Sequence, residues 1–157
     1  MKSLVVYYSR TGTTKKIAQA IARNLGGDIE EIIDKKDRRG PTNYLIAGKD
    51  AATKRLTEID DTKKDISSYD IVVIGTPVWA FTMAPAIRTF ITRHKESLKN
   101  IAFFCTQGGA GSKRTFKDME ELCGKRPVEV LEATTKEVMK DMFKQKISEF
   151  IERLSNK

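Results

Sequence analysis

Five short apolar runs, each followed by a longer segment with helical periodicity, set the pattern of this chain. Residues 3–8 (SLVVYY) are predicted to form a buried strand. Over 14–25, Ile17, Ala18, Ile21, Ala22 and Leu25 recur at spacings of one, three and four, a helical stripe that Gly26-Gly27 ends. Residues 28–33 (DIEEII) form a weaker strand at or near a sheet edge, and 34–43 read as a polar, charged loop. A helix is expected over 44–58, with Tyr44, Leu45, Gly48, Ala52 and Leu56 on one face. Residues 70–75 (DIVVIG) give the clearest strand, apolar toward both sides, and 76–85 follow as a loop rich in proline and aromatics. Pro85 suits the first turn of a helix carrying Ile87, Phe90 and Ile91. The fourth strand is 100–105 (NIAFFC), and 106–112 form a glycine-rich loop. Phe116, Met119, Leu122 and Cys123 mark a helix ending near Gly124, 128–133 give the fifth strand, and 136–154 the last helix, with Met139 and Met142 in its core stripe.

This strand–helix alternation predicts an α/β domain over 1–157. Its core is a doubly wound, five-stranded parallel sheet of order 2-1-3-4-5, with helices on both faces. Ligands on such sheets bind at the carboxyl ends of the strands, where strand order reverses between strands one and three.

Composition narrows the chemistry. The 157 residues need neither disulfide nor metal to bury a sizeable core. The two cysteines, Cys105 and Cys123, form no CxxC pair, and His94 is the one histidine, so a zinc site is not expected and any catalysis falls to a cofactor. Cys105 and Cys123 read as buried apolar residues, and His94 favours the C-terminus of its helix. The apolar runs are too short to span a bilayer and no signal-peptide pattern leads into the first strand, so a cytoplasmic location without membrane attachment is the expectation. A formal charge of +8 favours anionic ligands or acidic partners. The cations are spread along the chain without interleaved aromatics, which argues against a nucleic-acid module. The run over 35–39 reads as a solvated loop.

Three loops meet at the carboxyl edge. Ser9, Arg10, Thr11, Gly12, Thr13 and Thr14 lead into the first helix, where hydroxyls and helix amides suit a phosphate, although a simple N-cap at Thr13 or Thr14 also fits. Thr76, Pro77, Val78, Trp79, Ala80 and Phe81 bring the single tryptophan, readable as a stacking platform or as a core side chain. Thr106, Gln107, Gly108, Gly109 and Gly111 allow close backbone approach to a flat ligand. A flat, phosphorylated aromatic ligand fits all three, and a mononucleotide flavin leads.

The pattern Ser9-x-Thr11-Gly12-x-Thr14 is similar to the phosphate loop of flavodoxins, and GTPVWAFTMAP (75–85) and Thr-x-Gly-Gly (106–109) sit where flavodoxin-like proteins place their flavin-ring loops. The resemblance covers the whole chain. It implies noncovalent FMN, with the phosphate on 9–14 and the ring between 76–81 and 106–111. The uninterrupted fifth strand resembles the short-chain type. Residues 106–111 lack the aromatic that flavodoxins commonly stack there, so stacking rests on Trp79 or Phe81. The implied function is low-potential electron transfer with a redox partner protein, which the +8 charge makes acidic rather than basic. An FMN-dependent NAD(P)H reductase acting on quinones or similar acceptors is the alternative. A phosphoacceptor domain on the same sheet is excluded, because Ser9-Arg10 and Thr76 stand where it needs acids.

Overall fold

Alternating side chains of the central strands supply two cores at once. In the computed structural model, which describes residues 1–157, Leu4, Val6, Val72, Ile74, Ile101 and Phe103 point to one face of the sheet. Val5, Tyr7, Val73, Ala102 and Phe104 point to the other. The first face is covered by α3 (Pro85–His94) and α4 (Ser112–Cys123), through Ile87, Phe90, Ile91 and Met119. The second is covered by α1 (Thr13–Leu25) and α6 (Lys144–Ser155), through Ile17, Ile21, Ile147 and Phe150.

The parallel strands are β1 (Ser3–Tyr7), β2 (Asp28–Glu31), β3 (Ile71–Trp79), β5 (Asn100–Gln107) and β6 (Val130–Thr134), in the order β2-β1-β3-β5-β6. With the two-residue β4 (Thr82–Met83) set aside, this is the expected 2-1-3-4-5 arrangement, helices on both faces. The reversal of strand order falls between β1 and β3, paired with Val5 opposite Val73 and Tyr7 opposite Gly75.

Four local expectations change. The stretch 76–85 is not a loop: β3 runs on to Trp79, and β4 folds back antiparallel against it, Val78 opposite Met83 and Trp79 opposite Thr82. Ala80 and Phe81 form the two-residue turn, both with positive φ (49° and 63°), as the twist of a tight hairpin requires. The helix expected over 44–58 is α2 (Pro41–Ala52), and it turns its other face inward. Ala47 and Ala51 are buried while Tyr44, Leu45 and Leu56 are exposed, because Asp50 on the inner face is drawn to a buried arginine described below. The last helix is two, α5 (Thr135–Met139) and α6. Asp141 adopts φ 53° in the break, held by Lys16, whose Nζ lies 2.6 Å from its carboxylate. The break lets Phe143 and Ile147 enter the core and leaves Met139 and Met142 exposed, against their expected core role. Finally, 35–39 is not wholly solvated, because Arg38 is buried. No helix is long and apolar enough to cross a membrane.

Candidate functional site

The chain leaves β1 through Tyr8 and Ser9 and reaches α1 by way of Gly12, whose φ of 97° an L-side chain rarely adopts. The turn is closed by the Gly12 amide donating to Ser9 Oγ at 3.0 Å. No side chain caps α1 and no acid stands in its first turn. The amides of Thr11, Thr13, Thr14 and Lys15 have no hydrogen-bond partner within the chain, and neither do the hydroxyls of Thr11 and Thr13. Such donors at a helix N-terminus, unused by the fold, suit a dianion. By contrast α5 is fully capped: Thr134 Oγ1 accepts from the Glu137 amide and the Glu137 carboxylate accepts from the Thr134 amide.

Other members of the first loop serve the scaffold. Thr14 is buried, its Oγ1 2.7 Å from that of Thr106 at the end of β5. Arg10 swings away from the helix end: its Nε donates to the Arg38 carbonyl at 2.8 Å, and its guanidinium lies over the Tyr44 ring.

The second stretch is the β3–β4 hairpin. Thr76 is fully buried at its base, and its hydroxyl accepts from the Ala84 amide and donates to the Pro77 carbonyl. Pro77 and Val78 are half-buried. Trp79 is also half-buried and packs on the core, as the core reading of the sequence expects. The Tyr8 ring meets it edge-on at 5.5 Å and the Arg38 guanidinium lies 5.9 Å from it. Beside it Val78, Ala80, Tyr44, Leu45 and Gly48 line an apolar cavity of about 160 Å³. Phe81, at the tip, is 55% exposed. The amides of Ala80 and Phe81 have no partner.

The third stretch meets the hairpin directly. At Gly111, φ is 109°, and a Cβ would come within 2.8 Å of a Val78 methyl and 3.1 Å of the Phe81 ring. Gly108 and Gly109 stand in open space, and the amides of 108–111 have no partner. Thr106 and Gln107 are buried beneath them. The Gln107 carboxamide accepts from the Ser112 amide at 3.0 Å, and Glu132 accepts from the Ser112 hydroxyl, which fixes the start of α4. The three stretches therefore converge, and their free groups are mostly backbone N–H.

Sequence reasoning missed the supports around this edge. Arg38 is 3% exposed and donates to Asp34 at 2.7 Å and to Asp50 at 3.0 Å. Thr82 on β4 donates to Asp118 at 2.7 Å and accepts from Arg88 at 3.1 Å. Arg88 is buried and its Nε has no partner; burial draws its pKa down, against the attraction of Asp118. Only the alternation of opposite charges over 34–39 hinted at the first cluster. Arg88 carried no signal, since one arginine in an amphipathic helix reads as solvated. Of the groups able to transfer a proton, His94 and Cys123 lie at the far ends of their helices, whereas Cys105 and Tyr8 stand at the base of the convergence, beside Thr76 and Trp79. His94 sits at the far end of α3, 4.8 Å from the Phe90 ring, with its pKa lowered by burial and by Arg93. Burial pushes both Cys105 and Cys123 up to about 12, and Tyr8 likewise rises to about 12, from burial and then Asp34.

Known proteins share this fold. A flavoprotein from Lactobacillus acidophilus NCFM, crystallised in complex with FMN, superposes with a TM-score of 0.74 at 27% identity, over 88% of this chain and 97% of that one. The apo-form of the flavoprotein from that organism, solved by NMR, gives 0.68 at 28% identity, over 83% and 91%. At the level of fold alone, a flavodoxin of Streptococcus pneumonia TIGR4 gives 0.58 at 16% identity, over 99% of each chain. No curated protein matches the chain. The profile of the family described as Flavodoxin matches residues 2–154, and the chain belongs to that family.

Proposed function

We propose that the protein binds FMN noncovalently and acts as a low-potential electron carrier. The observation that carries this reading is the uncapped start of α1, whose partnerless amides stand beside the free hydroxyls of Thr11 and Thr13. The FMN complex of the 27%-identical Lactobacillus acidophilus flavoprotein supports it. Thr11, Thr13 and the amides of Thr14 and Lys15 would hold the phosphate. The amides of Ala80, Phe81 and 108–111 would face the ring, with Trp79 and Phe81 as its aromatic neighbours. Bound FMN supplies one- and two-electron transfer, while the chain supplies position and electrostatics. His94 and the two thiols are remote or held neutral by burial, so the redox chemistry of this reading rests on the flavin and not on a side chain.

Adding the purified protein to FMN should quench flavin fluorescence at one equivalent. Unchanged fluorescence at micromolar protein would refute the reading. Steady-state oxidation of NADPH by the loaded protein, with a quinone as acceptor, would identify it as a reductase instead.

A further inference from the structure

A guanidinium taken out of water destabilises a fold unless ion pairs and hydrogen bonds replace its lost hydration. Arg38 meets that condition, with Asp34 and Asp50 against it. Arg88, in the middle of α3, does not. It is 7% exposed, its side chain donates one hydrogen bond, from Nη2 to the Thr82 hydroxyl at 3.1 Å, and its Nε has no partner. No carboxylate forms an ion pair with it. A guanidinium nonetheless stays charged in a protein.

The Thr82 hydroxyl stands between this cation and Asp118 of α4. An ionised carboxylate only accepts, so the hydroxyl's one proton goes to Asp118 at 2.7 Å, and its oxygen accepts from Arg88. The direction of the chain is thus fixed, from Arg88 through Thr82 to Asp118, and it ties α3 and α4 to β4. Thr82 pairs with Trp79 across the hairpin and directly follows the turn of Ala80 and Phe81, whose amides have no partner. Both charges therefore stand one hydrogen bond from the strand behind those amides. The guanidinium is buried and Asp118 is half-buried. Water screens the carboxylate more than the cation, so the field that the pair sets up at the hairpin is positive.

We propose that Arg88 is a positioning residue that acts through Thr82: it holds the β3–β4 hairpin against the flavin ring and biases the site toward reduced, anionic FMN, with Asp118 opposing that bias. The proposal rests on the FMN reading. Addition of two electrons and one proton to a flavin ring leaves it with one extra negative charge, which a buried cation behind the hairpin favours. The two parts of the role are separable. The hydrogen bonds of Thr82 act on the ring in both redox states, whereas the charge of Arg88 acts on the reduced state.

The test combines flavin-fluorescence titration with anaerobic dithionite titration of the FMN-loaded protein, which reads the two-electron midpoint potential. Arg88→Met should weaken reduced FMN at least about tenfold more than oxidised FMN, a downward shift of about 30 mV or more. Asp118→Asn should move the potential upward, and Arg88→Lys, which keeps the cation, should leave it near the wild-type value. Lys117→Met removes an exposed cation next to Asp118 and should move the potential less than about a third as far as Arg88→Met, because water screens it. Thr82→Val should weaken both redox states by the same factor, about threefold or more, and Thr82→Ser should restore them. In the FMN-free protein, Trp79 emission should shift in Thr82→Val and return in Thr82→Ser. If Arg88→Met does not fold, the upward shift in Asp118→Asn with an unmoved potential in Arg88→Lys decides the matter. Potentials that move the same way in Arg88→Met and Asp118→Asn, or in neither, would overturn the proposal, as would unchanged FMN affinity and Trp79 emission in Thr82→Val. Each of these results in a wild type that quenches FMN overturns the proposal alone, whereas a wild type that fails to quench FMN overturns the reading beneath it.

Discussion

The hydroxyls of Thr14 and Thr106 lie 2.7 Å apart, both side chains buried, and tie the first turn of α1 to the end of β5. This one contact joins the loop that opens α1 to the base of the glycine-rich stretch. Replacing either residue by valine leaves the other hydroxyl buried without a partner, which costs about 1–3 kcal/mol. Replacing both removes the orphan. Urea unfolding of the FMN-free protein should show each single variant destabilised by that amount and the double variant by less than the sum. Additive losses would show that each hydroxyl has another partner.

Gly12 isolates the contribution of backbone conformation to phosphate binding. A Cβ there meets nothing within 4 Å, but φ is 97°. Gly12→Ala therefore carries a conformational cost of about 1–2 kcal/mol with no clash. Relief of that strain turns the amides of Thr13 and Thr14 off their common direction. FMN affinity should fall about tenfold or more, with a smaller effect on riboflavin, as measured by flavin-fluorescence titration. Equal losses for the two ligands would place the phosphate elsewhere.

Gly111 reports on the ring side. Its φ of 109° is again unfavourable to alanine, and here a Cβ also strikes Val78 and Phe81. Gly111→Ala should push the hairpin away from the third stretch and weaken FMN and riboflavin by the same factor, in contrast to Gly12→Ala. Loss confined to FMN in both variants would mean that the ring does not contact this junction.

The legibility of the chain followed the source of each signal. Strands with apolar neighbours on both faces, such as 71–74 and 101–104, could be read directly, and with them the order of the sheet. The meeting of the three stretches at the carboxyl edge could also be read, and Gly12 and Gly111 within them mark backbone that other residues avoid. What failed depended on pairings distant in sequence. α2 shows its apolar residues to solvent because Asp50 is drawn to Arg38, twelve residues away. The α5–α6 break places Asp141 against Lys16, and the hairpin depends on β4, two residues long. Local periodicity contains none of these. Arg10, Thr76 and Gln107 carry the right chemistry for a ligand, yet the fold spends their side chains on itself.

The Arg38 cluster should make the stability of the Trp79 wall depend on pH. Burial by itself would raise the Asp50 pKa, but the hydrogen bonds from Lys36 and Arg38 outweigh it and hold the carboxyl below its ordinary 3.8. The folded protein thus takes up this proton less readily than the unfolded chain. Its stabilisation is complete at pH values above the ordinary 3.8 and is lost as pH falls through the lowered folded value. Arg38→Met leaves Asp34 buried without a cation and Asp50 with Lys36 alone, a change that costs about 3–5 kcal/mol near neutrality. Trp79 loses the guanidinium beside its ring at the same time, so its emission should shift even in the folded variant. Asp50→Asn keeps the shape but removes the titration. In urea unfolding, the gap between the wild type and Asp50→Asn should be constant from neutral pH down to about pH 5 and should close in stronger acid. A gap that stays open at the acid end, or one that closes already near neutrality, would show that Asp50 is not held ionised by Arg38 and Lys36.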